Sequence, residues 1–176
     1  MANAPTIFSV GHSNLTIEAF LALVTDHGIE TIVDVRTMPY SQYSPQFNRE
    51  ELQRALERHG MSYAYAGDFL GGRPTDPTCY KNGTVPDGKA DYLALVDYPA
   101  VARLPTYQRG VKRLLEIAAE SRTAIMCSEE DPNRCHRQHL IAQTLLEQGC
   151  SVLHIRSRPP GGIEEATRVA SQLSLL

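Results

Sequence analysis

Long apolar runs, a secretory signal and an excess of charge of one sign are all missing from this 176-residue sequence. No stretch of about 18 apolar residues occurs, so we predict no membrane-spanning helix and no membrane partner. The N-terminus has neither the basic region nor the apolar core that directs secretion, so we expect a cytoplasmic location. A formal net charge of −3 provides no general attraction to nucleic acid or to acidic membranes.

The sequence also has little cysteine. Its four cysteines are too few and too irregularly spaced for a disulfide scaffold, which fits a reducing compartment. Neither a Cys-x2-Cys pair nor a His-x3-His pair is present, so we predict no metal site and no cofactor. Zinc stays an alternative, because Cys127, Cys135, His136 and His12 have the side chains that bind it.

The common phosphate-binding motifs are absent too. No GxGxxG sequence follows the first predicted strand and no GxxxxGK[ST] sequence occurs, so neither dinucleotide nor P-loop binding is indicated. A phosphatase-like loop needs Cys-x5-Arg with its amides open to phosphate. Here Cys127 and Arg134 are separated by six residues, and the intervening loop is acidic. The sequence therefore does not favour a phosphatase or an ordinary sulfurtransferase.

Apolar runs alternate with helical patterns along the chain. Strands are predicted at 6–11, 31–36, 62–66, 124–126 and 151–156. Helices are predicted at 16–28, 48–60, 92–96 and 107–119, around Leu140–Leu146, and at Ile163–Leu173. This alternation predicts a three-layer α/β fold, with a mostly parallel sheet of about five strands and helices on both faces, flavodoxin-like or related. The length fits a single domain over residues 1–176.

Polar residues follow each predicted strand, and parallel strands bring them to one edge of the sheet, where such folds bind ligands. The residues that we predict to act in catalysis are Cys127, Glu129, His12 and Asp34. The residues that we predict to bind substrate are Arg36, Arg137, Ser13, Gly71, Gly72 and His136.

Each of these predicted roles has a chemical basis and an alternative. Cys127 would be a nucleophile or a polar anchor, Glu129 or Asp34 a general acid or base, and His12 a group that positions or transfers a proton. Arg36 and Arg137 would hold an anion through their planar guanidinium groups. A cysteine after an apolar run can also be a simple core residue.

The segment after the fourth strand leaves further questions open. The start of the following helix favours a Cys127 thiolate, whereas three acidic residues at 129–131 oppose it. His136 is either a catalytic group in the first turn of that helix or a polar residue at its end. Because His136 directly follows Cys135, we expect their side chains to diverge by about 100° around the helix.

Several of these short motifs together resemble a known family. They are Gly11-His12-Ser13, Asp34-Val35-Arg36 with Pro39 and Ser41, Leu70-Gly71-Gly72, and Met126-Cys127-Ser128-Glu129 continuing through Asp131-Pro132 to Cys135-His136-Arg137. The family is the uncharacterised domain-of-unknown-function family 488, and the resemblance extends from about Ile7 to Ile155. It implies a compact α/β domain of bacteria or archaea and supports the site without naming an activity. Ser128 stands where the family commonly has alanine.

Three functions fit this sequence. The first is an enzyme that acts on a small anionic substrate, such as a nucleotide or a nucleobase in nucleic acid. The second is a module that binds a ligand or a nucleic acid without turnover, through Arg134, Arg137, Arg156 and Arg158. The third is a redox or metal-binding domain built on Cys127 and Cys135.

Overall fold

The computed structural model describes residues 3–159 and 161–169, and their central element is a six-stranded sheet. The strands are β1 (Thr6–Gly11), β2 (Thr31–Asp34), β3 (Ser62–Tyr65), β4 (Thr123–Cys127), β5 (Ser151–Arg156) and β6 (Gly162–Glu165). Their order in the sheet is β3-β2-β4-β1-β5-β6. The first five strands pair in parallel, and β6 pairs antiparallel with β5.

Helices fill the connections between the parallel strands. They are α1 (Ile17–Asp26), α2 (Arg49–Arg58), α3 (Gly67–Leu70), α4 (Tyr92–Leu95), α5 (Tyr98–Ala102), α6 (Pro105–Glu120) and α7 (Gln143–Glu147). A π-helical stretch, Arg137–Ala142, leads directly into α7. No helix in the described part of the chain is long and apolar enough to span a membrane.

The core is divided between the two faces of the sheet. Because side chains alternate along a strand, Ile7 and Phe8 of β1 belong to different apolar clusters. One cluster contains the buried residues of α1 and α2, and the other those of α6, α7 and the π-helical stretch. The predicted three-layer α/β architecture is therefore confirmed. The strand order differs from the 2-1-3-4-5 order of flavodoxin-like folds.

Local sequence signals account for the first helix. The hydroxyl oxygen of Thr16 accepts a hydrogen bond from the Ala19 amide at 3.1 Å and so caps the helix. Gly28, just after the helix, has φ of 69°, a conformation that costs glycine little. The apolar stripe of α1 is buried, and complete burial of a side chain such as Phe20 contributes roughly 1.5–3 kcal/mol.

The predicted final helix, Ile163–Leu173, is wrong over the residues that the structure describes. Gly161 and Gly162 have φ of 72° and 85°, and they turn the chain back along β5. Ile163 then pairs with Ile155, and the Glu164 carboxylate lies 2.6 Å from the Arg156 guanidinium. Strand pairing thus outweighs the helical pattern. Residues 170–173 of this prediction lie outside the described residues.

The strand order opens a crevice between β2 and β4. From β2 the chain moves outward to β3, whereas from β4 it moves the opposite way to β5. The loops after these two neighbouring strands therefore diverge, which is the arrangement that creates ligand sites in open α/β sheets.

Candidate active site

Two adjoining clefts open at the carboxyl edge of the sheet, each with a volume of about 550 Å³. We call one the histidine cleft, because His12 and Ser13 line it, and the other the cysteine cleft, because Cys127 and Cys135 line it. The two clefts share the residues Arg36, Met38, Tyr40, Ser128, Glu129 and Arg134. Their size suits a small ligand.

Arg36 lies at the junction of the two clefts, and Asp34 fixes the orientation of its guanidinium. The Arg36 Nε and Nη2 atoms donate to the two Asp34 oxygens at 2.9 and 2.7 Å, and Nη2 also donates to the Phe47 carbonyl at 2.8 Å. Burial alone would lower the pKa of Arg36, but its hydrogen bonds with Asp34 raise that pKa overall. The guanidinium therefore stays charged at the cleft wall.

Asp34 itself lines neither cleft. It is completely buried, and its Oδ2 atom also accepts a hydrogen bond from the Tyr63 hydroxyl at 2.7 Å. Every oxygen of this carboxylate is already engaged by the protein. The placement makes Asp34 a positioning residue for Arg36 and gives no support to the predicted acid–base role.

His12 is held as a neutral imidazole next to Arg36. Its Nδ1 atom lies 2.8 Å from the Ser13 carbonyl oxygen, which can only accept, so Nδ1 carries the proton. Its Nε2 atom then accepts from Arg36 Nη1 at 3.2 Å, and the ring stacks on Phe47 with 4.3 Å between centroids. Burial, followed by the charge of Arg36, lowers the pKa of His12 to about 4.

The backbone after β1 is fitted closely to the loop after β4. The amides of His12 and Ser13 donate to the carbonyl oxygens of Cys127 and Ser128 at 2.9 and 2.8 Å. A side chain at Gly11 would overlap the carbonyl group of Glu129, so this close approach requires glycine. Ser13 has φ of 48°, a conformation that is uncommon for a residue other than glycine. Such strain often occurs at functional sites.

Arg137 is buried beneath the clefts and lines neither of them. Its guanidinium donates to the Ser9 hydroxyl and to the Glu129 and Glu130 carbonyl oxygens, and its side chain is fully inaccessible to solvent. The predicted anion-binding role needs a guanidinium that reaches solvent, and this one does not. Arg137 instead holds the loop after β4.

Cys127, Cys135 and His136 form a compact buried cluster at the wall of the cysteine cleft. The Cys127 and Cys135 sulfur atoms lie 4.0 and 3.6 Å from His136 Nδ1, and all three atoms are within 4.8 Å of one another. The expected divergence of Cys135 and His136 is wrong, because Cys135 has extended backbone angles, φ −140° and ψ 148°. The helical backbone begins only after it.

The two cysteines differ in their electrostatic surroundings. A hydrogen bond directed to Cys135, together with burial, raises the pKa of the Cys127 thiol. Burial also opposes ionisation of Cys135, but the Cys127 hydrogen bond and the charge of Arg137 outweigh it and lower the pKa of Cys135. Cys135 therefore holds negative charge more readily than the predicted nucleophile Cys127. Cys135 was not among the predicted catalytic or substrate-binding residues, although the Cys-His pair ahead of a helix is a sequence signal that could have identified it.

The two predicted glycines have different environments. Gly72 lines the cysteine cleft and packs on His136, since a Cβ atom added there would lie 2.8 Å from the imidazole Nδ1. Gly71 packs against the Thr37 side chain and lines neither cleft. Both therefore shape the site through close packing.

The clefts have a rim of exposed apolar and basic side chains, of which the sequence had singled out only Arg134 and Arg158. Met38 and Tyr40 are 65% and 52% exposed, and Arg73 places its guanidinium 4.4 Å from the ring centroid of Tyr92. Arg134 and Arg158 are also exposed at this edge. Of the four arginines predicted to bind phosphates, Arg137 is buried and Arg156 is paired with Glu130 and Glu164.

Comparison with known proteins identifies a family and no activity. The model of the family described as "Domain of unknown function DUF488" matches residues 16–144 of this chain. No curated protein matches the chain, and no solved structure matches it either. The matched region contains Asp34, Arg36, both site cysteines and His136, whereas β1 and β5 lie outside it.

Proposed function

The chain belongs to the DUF488 family, and we propose from the geometry of its site that it is an enzyme acting on a small anionic substrate of nucleotide or nucleobase type. The substrate would bind where the two clefts meet, at the carboxyl edge of the sheet. The observation that carries this proposal is the fixed Arg36 guanidinium at their junction.

Arg36 has the properties of a preorganised anion-binding group. Asp34 and the Phe47 carbonyl oxygen engage Nε and Nη2, so the orientation of the guanidinium is set before any ligand arrives. Its Nη1 atom has a weaker contact, 3.2 Å from His12. A ligand anion can accept hydrogen bonds from this side of the guanidinium without any reorganisation of the side chain. The planar fork of an arginine matches the oxygens of carboxylate and phosphate groups.

The rim favours a ligand that combines charge with an unsaturated ring. Exposed Met38 and Tyr40 offer apolar and aromatic surface, while Arg73, Arg134 and Arg158 supply positive charge around it. Aromatic and apolar side chains stack on nucleobases, and arginines bind phosphate oxygens. A nucleotide, or a nucleobase that is part of a nucleic acid, has both features and fits a cleft of about 550 Å³.

Glu129 is the residue that we assign to proton transfer. It is exposed and lines both clefts, so its carboxylate can reach a ligand at their junction. His12 is neutral and already engaged at both ring nitrogens, and we assign it to positioning Arg36. Cys127 lies at the wall of the cysteine cleft as a polar anchor. We place this enzyme in the bacterial cytoplasm, where its four unpaired cysteines would stay reduced.

The first test measures binding of defined anions. Titration calorimetry with inorganic phosphate, pyrophosphate and adenosine monophosphate should show binding to the wild-type protein. Arg36→Lys should weaken it roughly 10-fold or more, because lysine lacks the planar fork. Arg113→Lys, an exposed substitution on α6, is the matched control and should leave affinity unchanged. Equal affinity in wild type and Arg36→Lys would overturn the proposed role of Arg36.

The second test separates an enzyme from a binding module. The wild-type protein is incubated with a panel of nucleotides and nucleobases, and mass spectrometry follows their conversion. Turnover that is lost in Glu129→Gln and kept in Glu120→Gln, an exposed control outside both clefts, supports the proposal. Binding of panel compounds without conversion of any of them would instead indicate a non-catalytic module.

A further inference from the structure

The cluster of Cys127, Cys135 and His136 has the donor atoms and spacing of a metal centre. We propose that these three residues bind one zinc ion and leave one coordination position open to the cysteine cleft. This proposal concerns metal binding, and it stands on the cluster alone. Its tests measure metal binding directly and do not depend on the proposed enzyme activity.

The sulfur–nitrogen distances match those of tetrahedral zinc. With Zn–S bonds of about 2.3 Å and Zn–N bonds of about 2.0–2.1 Å, a tetrahedral ion separates a sulfur and a nitrogen ligand by roughly 3.6 Å. The two sulfur atoms of the cluster lie 3.6 and 4.0 Å from His136 Nδ1. The two sulfur atoms lie within 4.8 Å of each other, so small side-chain movements can bring all three donor atoms onto one ion.

His136 is oriented as a metal ligand. Its Nε2 atom lies 3.1 Å from the carbonyl oxygen of Val35, which can only accept, so the proton resides on Nε2. The Nδ1 lone pair then points toward the two sulfur atoms. Histidines that bind metals commonly donate their other N–H group to a carbonyl or carboxylate in this way. Gly72 packs against the imidazole ring and helps to hold it in place.

The charges also suit a divalent ion. Two thiolates offset the two positive charges of Zn²⁺, and the neutral imidazole adds none. The Arg137 amide lies 3.5 Å from the Cys135 sulfur and stabilises negative charge on it. Each sulfur that is still protonated releases its proton to solvent when its bond to zinc forms. Two sulfurs and one nitrogen favour zinc over the hard ions Mg²⁺ and Ca²⁺, which prefer oxygen ligands.

The cluster contains three ligands, which distinguishes it from a closed structural site. Within residues 3–159 and 161–169, no fourth histidine, cysteine or carboxylate joins the group. All three residues line the cysteine cleft, so the remaining position faces that cleft. Zinc sites with three protein ligands and an exchangeable fourth position are typical of catalysis, where the ion activates water or polarises a substrate oxygen.

Metal binding can be tested directly on the full chain. Protein without a histidine tag is reduced, stripped of metal by dialysis against a chelator, and titrated with zinc in competition with a chromophoric chelator. We expect one equivalent bound per chain, and with Co²⁺ in place of zinc we expect a thiolate-to-metal charge-transfer band. Cys127→Ser, Cys135→Ser and His136→Asn should each abolish stoichiometric binding, while Cys79→Ser and Cys150→Ser should retain it.

A second measurement uses the wild-type protein and does not depend on the folding of any variant. Zinc should slow alkylation of Cys127 and Cys135 by on the order of 10-fold or more, because a metal-bound sulfur is a poor nucleophile, and a chelator should restore the rate. Peptide mapping resolves the four cysteines, and Cys79 and Cys150 serve as internal controls. Alkylation of Cys127 and Cys135 that zinc does not change, or the lack of one-equivalent binding in reduced protein, would overturn the metal site.

Discussion

The Asp34 carboxylate and the Arg36 guanidinium form a buried pair in which two hydrogen bonds, 2.9 and 2.7 Å long, join the two side chains. Asp34 is completely buried and Arg36 is 5% exposed. A paired arginine at the end of a strand thus becomes a rigid part of a cleft wall. The pair therefore fixes the guanidinium to which we assign anion binding.

Asp34→Asn should destabilise the protein by about 3–5 kcal/mol, because removal of one partner leaves a buried charge without compensation. Urea unfolding of wild type and variant measures this difference. Glu51→Gln, which breaks an exposed pair with Arg54, is the control and should change stability by about 1 kcal/mol or less. Equal losses in the two variants would show that the Asp34–Arg36 pair is not a significant element of the fold.

Arg137→Lys should also destabilise the fold and should leave anion affinity unchanged. Lysine cannot make the separate hydrogen bonds that the guanidinium gives to Ser9 and to the Glu129 carbonyl, and unsatisfied buried polar groups cost about 1–3 kcal/mol each. Urea unfolding and phosphate titration measure the two properties. A variant of full stability with weakened phosphate binding would restore Arg137 as a ligand-binding residue.

Acid stability should depend on Glu130. Hydrogen bonds from Arg156 lower the pKa of Glu130 from 4.5 to about 2, against the opposing effect of burial. Because the folded-state pKa is the lower one, the stabilisation is fully present above pH 4.5 and disappears as the pH falls toward 2. Glu130→Gln should therefore be less stable than wild type at neutral pH.

The same variant should lose less stability than wild type between pH 4.5 and pH 2. Thermal unfolding across that range measures the two curves, and Glu116→Gln, an exposed substitution on α6, should follow the wild-type curve. Parallel curves for wild type and Glu130→Gln would contradict the lowered pKa.

Gly72→Ala should weaken zinc binding while the protein stays folded. The added methyl group would lie 2.8 Å from the His136 imidazole, so the ring would have to leave its present position beside the two sulfur atoms. Disturbance of a group that supports a metal ligand commonly lowers affinity by roughly 10–100-fold. Zinc competition measures the change, and Gly88→Ala is the control, because nothing lies near that position. Unchanged zinc affinity in Gly72→Ala would show that Gly72 does not support the metal site.

Much of the fold follows from local sequence patterns. The buried strands and the capped helix α1 are specified within about ten residues each, by apolar periodicity, Thr16 and Gly28. The final strand β6 could not be predicted this way. Its residues are exposed, and its conformation depends on pairing with β5 and on the glycine turn before it.

The residues at the carboxyl edge of the sheet could be predicted from the amino-acid sequence alone, because the residue that follows a parallel strand lies at that edge. His12, Arg36, Cys127 and Glu129 all line the two clefts there. Which of the predicted groups face the clefts, and which are buried beneath them, depends on tertiary packing. Two arginines that look equivalent in sequence differ in this respect, since Arg36 reaches the clefts and Arg137 is fully buried. The contact of Arg137 with Ser9 joins residues 128 positions apart, and the contact of His136 with Val35 joins residues 101 positions apart. Local sequence patterns do not contain such long-range contacts.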